Sequence, residues 1–153
     1  MVDLPDNKGP RLAVRALIVE VGKLLLVNAY AGGVSDLWCA PGGGVEKHQS
    51  LPNNLAREVY EETGLTIQVG DPAGVNEFHH PESGFHQVDL YFRVRVIAGT
   101  LDPNWKDADA IVDQRRFVTR AEMASLRFKP DTLPDMAFGS GAMIYDPLEH
   151  LVS

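Results

Sequence analysis

The stretch from Gly42 to Leu65 constrains this chain more than any other part of it. It reads GGGVEKHQSLPNNLAREVYEETGL, a glycine-rich turn followed by the markers of one short helix. Ser50 is suited to cap the helix N-terminus, and Pro52 fits the first turn, where a missing N–H costs little. Gly64 is suited to the left-handed position that ends a helix. The sequence therefore predicts a helix that begins directly after a tight backbone turn.

The predicted helix carries an apolar face and an acidic face. Apolar side chains recur every four residues at Leu51, Leu55 and Val59, which is the spacing of one helix face. Three acidic residues lie on the same helix: Glu58, Glu61 and Glu62. Residues three and four apart are helix neighbours, so each like-charged pair costs roughly 0.2–0.5 kcal/mol.

The acidic face has two interpretations. One is a solvated surface on which Arg57 pairs with Glu61 one turn away. The other is a cation site, because Mg²⁺ takes oxygen ligands and is usually completed by substrate phosphates. The three glycines favour the second interpretation, since they permit a backbone path closed to other residues and can direct a carbonyl oxygen at the same ion.

The same segment resembles the Nudix box. That pattern is Gly, five residues, Glu, seven residues, then Arg-Glu-apolar-any-Glu-Glu-any-Gly-apolar. Gly43 opens the pattern, Arg57 and the three glutamates follow at the required spacing, and Leu65 closes it. Two positions differ: Gln49 stands in place of the first motif glutamate, and His48 stands where many members carry glycine.

The resemblance implies a fold and a reaction. The fold is α/β (α+β), a Nudix-like α/β/α sandwich with a mixed β-sheet between helices. The reaction is hydrolysis of a nucleoside diphosphate linked to another group, by attack of water on one phosphorus with Mg²⁺ or Mn²⁺ bound. Glu58, Glu62 and the Gly43 carbonyl are expected to bind the ion directly. Glu61 is expected to bind a second ion or to hold a metal-bound water.

The catalytic residues implied by the resemblance also lie in the box. Glu58 is the first candidate for the base, Glu61 the second and the loop acid Glu82 the third. Arg57 completes the catalytic set, and the motif glutamate missing here usually orients it. Gln49 keeps an acceptor for Arg57 but loses the charge, so we expect a weakened site rather than a lost one.

Candidate substrate contacts lie outside the box. Phe85 and Glu82 belong to a loop that the family likeness places near the substrate, and Trp38 is a further aromatic that can stack on a base. Aromatic residues in strands are more often core residues. Arg15, in the first predicted strand, reaches a phosphate if its side chain faces the cleft, and is otherwise a solvent-facing strand residue. The adjacent His79 and His80 lack the second ligand pair expected of a zinc site.

Composition limits the remaining classes. With 153 residues and 44% apolar content, the chain is expected to form a single domain, 1–153, with a flexible segment 1–10 and a C-terminal tail 139–153. The net charge of −7 argues against non-specific binding to nucleic acid. No apolar run is long enough for a membrane span or a signal peptide. The single cysteine, Cys39, suits a reducing compartment, so a cytoplasmic location is expected.

Apolar and turn patterns predict the other elements. Strands are expected at Leu12–Glu20 and Lys23–Asn28, joined by a hairpin at Val21-Gly22, and at Leu37–Ala40, Leu65–Val69, Gly74–Phe78, Gln87–Ile97 and Arg116–Val118. A hairpin-like excursion is expected over His79–Phe85. Thr119 and Glu122 form a capping-box pattern for a second helix to about Leu126. The stretch Pro130–Pro134 is expected to be a surface connection.

The substrate and two rival functional classes stay open. ADP-ribose or another nucleotide sugar ranks level with a nucleoside triphosphate, oxidised forms included; dinucleoside polyphosphates come third, and capped RNA is disfavoured by the acidic charge. One rival is a catalytically weakened nucleotide-binding or regulatory protein on the same fold, for which Gln49 is the evidence. The other is an interaction protein that forms a homodimer or binds a partner through its apolar tail. Retention of all three helix glutamates favours the enzyme.

Overall fold

The fold begins with the hairpin that the sequence predicts. In this computed structural model, which describes residues 9–153, strand β1 (Arg11–Glu20) turns directly into β2 (Lys23–Asn28). The turn residues Val21 and Gly22 have φ values of 50° and 72°, as a two-residue hairpin with the right-handed strand twist requires. The predicted hairpin is confirmed, whereas segment 1–10 falls almost entirely outside the described residues.

The predicted helix forms with its predicted caps. Helix α1 spans Leu51–Thr63, and the Ser50 side chain accepts a hydrogen bond from the Asn53 backbone N–H at 3.2 Å. Gly64 has a φ of 75° and donates its N–H to the Tyr60 carbonyl at 2.8 Å. The residues at both ends therefore fix where the helix begins and ends.

The strands form one mixed sheet of eight. The remaining strands are β3 (Trp38–Cys39), β4 (Gly42–Gly44), β5 (Thr66–His80), β6 (Phe85–Ala98), β7 (Arg115–Thr119) and β8 (Ile144–His150). The strand order is β3-β2-β1-β6-β5-β8, while β4 pairs with β1 and β7 with β2. The β1/β6 and β5/β8 pairs are parallel and the others antiparallel. The predicted α+β fold with a mixed sheet is confirmed.

Strand β5 is longer than predicted. The two expected strands Leu65–Val69 and Gly74–Phe78 are parts of it, because the register shifts on either side of Pro72 let the strand continue through an irregularity. The expected excursion over His79–Phe85 is correspondingly a short turn at residues 81–84.

Helices cover both faces of the sheet. Helix α1 packs on the β1 face that carries Val14, Ala16 and Ile18, all almost fully buried. Two short helices, α2 (Arg120–Met123) and α3 (Leu133–Phe138), contribute to the core on the opposite face. These two layers are the sandwich that the resemblance implies. Among the described residues, no helix combines the length and apolar content that crossing a membrane requires.

The C-terminal part differs most from the sequence-based expectation. The stretch Pro130–Pro134 is not a surface connection, because Pro130 is buried and Leu133 begins helix α3 with 0% exposure. The capping box at Thr119 forms as predicted, but helix α2 ends at Met123 rather than near Leu126. The expected tail, 139–153, contains strand β8.

A buried polar junction fixes this C-terminal part. The Asp146 carboxylate accepts hydrogen bonds from the Asn76 side-chain amide at 3.1 Å and from the Thr132 hydroxyl at 2.7 Å. It also accepts the Thr132 backbone N–H at 3.3 Å. Because buried polar groups are stable only when hydrogen bonds satisfy them, this junction joins β5, β8 and the start of α3 into one unit.

We predict that Leu133→Ala lowers the free energy of unfolding by about 2–5 kcal/mol, because it leaves a cavity in the core under β1 and β5. Leu148→Ala serves as the control, since Leu148 is 44% exposed and its truncation should cost less than about 1 kcal/mol. Denaturant unfolding measures both. A loss below about 1 kcal/mol for Leu133→Ala would contradict the placement of α3 in the core.

Candidate metal centre and substrate cleft

The glycine strand β4 lies so close to its neighbours that side chains are excluded from it. A Cβ at Gly42 would collide with the Val14 carbonyl oxygen, and the φ of 151° at Gly42 is itself unfavourable for other residues. Its backbone N–H points away from β1 and donates to the Glu62 carboxylate at 2.8 Å. Helix α1 is thereby joined to the glycine strand through a buried carboxylate.

Gly43 brings a second helix carboxylate against the strand. A Cβ at this position would lie 2.7 Å from the carboxyl carbon of Glu58. Gly43 is the register partner of Val14, between the hydrogen bonds Val45 N–H to Leu12 O and Ala16 N–H to Pro41 O. The alternation of an antiparallel ladder directs the Gly43 carbonyl toward Val14, and a carbonyl oxygen that accepts one hydrogen bond keeps a second lone pair.

Three carboxylates converge beside these two glycines. Each of Glu58, Glu61 and Asp109 offers one oxygen within 4.8 Å of the others. Glu62 stands one helical turn after Glu58 and is 8% exposed. Four carboxylates around one backbone edge are the oxygen donors that hard dications bind. The residues present therefore fit a divalent metal ion.

Burial makes this cluster unfavourable without a cation. Burial raises the pKa of Glu62 to about 8, although Arg15 and the Gly42 N–H oppose the shift. Burial also raises the pKa of Glu58, with Arg57 opposing and Glu61 adding to the shift. A carboxylate removed from water stays ionised at neutral pH only when positive charge compensates the lost solvation.

Arg57 forms the pair with Glu61 that one interpretation of the sequence predicts, but it does not form the expected contact with Gln49. Its guanidinium contacts Glu61 at 3.2 Å and both Glu58 and Glu46 at 3.4 Å. No hydrogen bond among the described residues joins it to Gln49, whose side chain is exposed, so the expected acceptor role of Gln49 is not seen. Among the described residues, the Arg57 Nε is a buried donor that lacks a partner. Glu46 thus supplies the charge that Gln49 does not.

The segment between β6 and β7 supplies an acid that sequence reasoning missed. Asp109 lies in this irregular connection, which gives no periodic signal. Trp105 attaches the connection to α1 by donating its indole N–H to the Glu61 carbonyl at 2.9 Å. Arg115, the first residue of β7, holds the other end of the connection by donating its Nε–H to the Glu62 carbonyl at 2.5 Å. The Asp107 carboxylate accepts the backbone N–H groups of residues 109, 111 and 112, which fixes the loop that presents Asp109.

A cleft of about 500 Å³ runs from the carboxylates along the sheet face opposite α1. At its far end lie Phe78 and Phe85, whose ring centroids are 6.0 Å apart. Of the predicted substrate contacts, Arg15 and Phe85 line the cleft. Trp38 is not part of its lining and packs against the core. Glu82 is exposed in the turn before β6, 3.2 Å from His80, so the structure does not bring it to the carboxylates.

The floor of the cleft near the carboxylates is polar and buried. Arg15 donates to Asp89 at 3.3 Å and to the Ala40 carbonyl at 3.3 Å, and its side chain is 17% exposed. Cys39 lies beside this pair, and burial raises the pKa of its thiol to about 11. A thiol with so high a pKa is almost wholly protonated at neutral pH, which agrees with its interpretation as a small buried residue.

Comparison with known proteins identifies the class. A family model described as the NUDIX domain matches residues 9–136. The chain therefore belongs to the Nudix hydrolase family, and the membership indicated by the box is confirmed.

Individual relatives are distant. An ADP-ribose pyrophosphatase of Methanocaldococcus jannaschii is 30% identical over 92 residues, which cover 60% of this chain and 54% of that protein. An m7GpppN-mRNA hydrolase of Homo sapiens is 27% identical over 129 residues, covering 72% of this chain and 39% of that protein. The chain thus spans about half or less of these curated relatives.

Solved structures agree on the fold. A MutT protein from Methanosarcina mazei Go1 superposes with a TM-score of 0.64 at 27% identity, covering 87% of this chain and 94% of that one. A NUDIX hydrolase from Nitrosomonas europaea gives a TM-score of 0.70 at 22% identity, covering 84% and 86%. The sheet and helices described above are therefore those of the family.

We predict that Gln49→Glu leaves activity equal or raises it by up to about tenfold, because a further carboxylate becomes available to the Arg57 Nε, for which the described residues supply no partner. The measurement is kcat/KM over a Mg²⁺ titration. Gln68→Glu is the matched control, since it places the same new charge beside Arg95, far from the carboxylates. A clear loss of activity in Gln49→Glu alone would contradict this view of Arg57.

Proposed function

We propose that this protein hydrolyses the pyrophosphate bond of a nucleoside diphosphate linked to another moiety, in a reaction that depends on Mg²⁺ or Mn²⁺. The observation that carries the proposal is the convergence of Glu58, Glu61 and Asp109 within 4.8 Å beside the glycine strand. Carboxylates this close repel one another, and Arg57, which contacts Glu58 and Glu61, offsets only part of their charge. A bound dication would neutralise charge on the phosphate oxygens during hydrolysis.

The roles of the acids follow from their surroundings. Glu58 and Glu62 stand directly against β4 and would hold the ion together with the Gly43 carbonyl. Glu61 and Asp109 lie on the more open side of the cluster, where a second ion or a water can be held. Support for this division comes from side-chain exposure, which is 12% for Glu58 and 27% for Glu61.

Glu58 remains the first candidate for the base. Burial raises its pKa, and a carboxylate with a raised pKa is a better proton acceptor. Glu61 is less suited because both of its oxygens accept from Arg57 at 3.2 Å. The side chain of Arg57 would then act by orienting Glu61 and Glu58 rather than by touching the reacting phosphorus.

The substrate class is supported by the shape and lining of the cleft. Carboxylates at one end suit a metal-bound diphosphate, and Phe78 and Phe85 at the other end offer aromatic faces to a base. The Methanocaldococcus jannaschii relative is described as an ADP-ribose pyrophosphatase. ADP-ribose, nucleotide sugars and nucleoside triphosphates are therefore the first substrates to test, followed by dinucleoside polyphosphates and capped RNA.

The proposal is tested with this substrate panel in Mg²⁺ and in Mn²⁺, with phosphate measured after phosphatase coupling. We expect metal-dependent turnover of at least one nucleoside diphosphate derivative. Binding of these nucleotides without any turnover would instead support the regulatory or binding protein on the same fold.

We predict that Glu62→Gln reduces Mg²⁺-dependent turnover to the level of the metal-free protein, because loss of a direct ligand removes the ion. Glu20→Gln, an exposed change at the end of β1, is the control and should leave turnover unchanged. Isothermal titration calorimetry with Mn²⁺ measures metal binding by the same two variants. Wild-type turnover in Glu62→Gln would reject the assignment of the metal ligands.

A further inference from the structure

Among the residues that the structure describes, one arginine of the cleft has no carboxylate partner. Arg11, Arg15 and Lys129 all line the cleft. Arg15 is paired with Asp89, and Lys129 with Glu149 at 3.0 Å and Asp131 at 3.1 Å. Within residues 9–153, Arg11 forms no ion pair. Its positive charge is therefore free for an anion that enters the cleft.

The side chain of Arg11 is nevertheless held in place. The parallel register of β1 and β6 sets it opposite Gln87, and its Nη1 donates to the Gln87 side-chain oxygen at 2.6 Å. Gln87 is 2% exposed and donates in turn to Asp89 at 2.7 Å. Since Asp89 also binds Arg15, a continuous row of hydrogen bonds joins the two arginines across the cleft floor.

The third glycine of β4 is the surface against which the guanidinium lies. A Cβ at Gly44 would stand 2.9 Å from the Arg11 Cζ and 3.0 Å from its Nε. Gly44 does not have the positive φ that would demand glycine. A side chain at Gly44 would therefore have to displace the Arg11 guanidinium.

We infer that Arg11 is a substrate-binding residue that holds a phosphate group of the diphosphate, a role that rests on the function proposed above. Its guanidinium is planar and already fixed by Gln87, and the donors not used there suit two oxygens of one phosphate. It lies one residue along β4 from the contact between Gly43 and Glu58. Although Gly43 and Gly44 face opposite sides of β4, Glu58 and Arg11 line the same cleft, so a diphosphate held at the carboxylates can extend along the cleft to Arg11.

This assignment separates the roles of the two arginines. Arg15 is committed to Asp89 and balances the buried acids under the metal site, whereas Arg11 is exposed and has donors available. Arg11 should therefore contribute mainly to binding, and its loss should raise KM more than it lowers kcat.

The test uses three variants of the full chain. Arg11→Ala should raise KM for the best substrate of the panel by at least about tenfold, as expected for loss of a charged hydrogen bond. Arg11→Lys should recover only part of this loss, because an ammonium cannot reproduce the two-pronged contact. Arg95→Ala is the matched control, since Arg95 is also paired with a glutamine, Gln68, but lies outside the cleft.

A glycine variant tests the geometry independently. Gly44→Ala should displace the flexible guanidinium without unfolding the chain, and should raise KM in the wild-type background. In the Arg11→Ala background the same change should add little, because the contact it disrupts is already gone. Equal effects of Gly44→Ala in both backgrounds would overturn the proposed contact.

A binding measurement distinguishes this inference from the proposed function. Titration calorimetry with the non-hydrolysable α,β-methylene ADP in Mg²⁺ is run on wild type, Arg11→Ala and Arg95→Ala, with circular dichroism as a check of folding. Weaker binding in Arg11→Ala alone supports the inference even if no substrate is turned over. Unchanged binding and unchanged KM in folded Arg11→Ala would overturn it while the hydrolase activity stands. Absence of analogue binding by wild type would overturn it as well.

Discussion

The contact of helix α1 with the glycine strand determines the rest of the site. Glu62 accepts the Gly42 N–H at 2.8 Å, and the Glu58 carboxyl group lies where Gly43 would otherwise carry a side chain. A side chain at Gly43 would occupy the place of the Glu58 carboxyl group. The same closeness removes the carboxylates from water, so the packing that builds the site also creates its need for a cation.

Other elements of the fold place further charged groups around the cleft. Trp105 and Arg115 use backbone carbonyls of α1 to attach the connection that carries Asp109, which adds a further acid to the cluster. On the opposite sheet face, Arg15 balances the buried Asp89. Farther along the same strand, Arg11 is bound to Gln87 and forms no ion pair within residues 9–153. Acidic groups thus mark one end of the cleft and the Arg11 guanidinium lies along its floor, as a metal-bound diphosphate would require.

Features encoded by neighbouring residues were predictable from the sequence. Ser50, Gly64 and the Val21-Gly22 turn act through their own backbone geometry, so their patterns specify structure without knowledge of the rest of the chain. The spacing of the helix glutamates likewise places them on one face. The confirmed hairpin, helix and family membership all rest on such local signals.

Features that depend on distant contacts were not predictable. Helix α3 has only six residues, and its position is set by burial of Leu133 and by Asp146 on β8. Strand β5 runs through Pro72 because β6 pairs with it on both sides of the irregularity, while β8 pairs with it from Gly74 onward. Asp109 reaches the cluster through a loop that Trp105 and Arg115 attach to backbone carbonyls of α1, 44 and 53 residues away in sequence. No pattern within these segments indicates such partners.

The most direct test of the account is the pH dependence of stability with and without Mg²⁺. Without a cation, the Glu62 carboxyl has a pKa of about 8 in the folded chain, against an ordinary value of 4.5. The folded state therefore retains a proton that the unfolded chain has released, and the free energy of unfolding falls as pH rises through this window. Glu62→Gln lacks this titration, so it isolates the contribution of the one carboxyl group.

Denaturant unfolding of wild type and Glu62→Gln, at about pH 5 and about pH 8, in chelator and in Mg²⁺, measures this contribution. In chelator at the higher pH, wild type is expected to have a lower free energy of unfolding relative to Glu62→Gln than at the lower pH. Mg²⁺ is expected to raise the free energy of unfolding of wild type alone. A difference between the two proteins that is the same at both pH values and unaffected by Mg²⁺ would contradict the claim that these buried carboxylates exist to hold a dication.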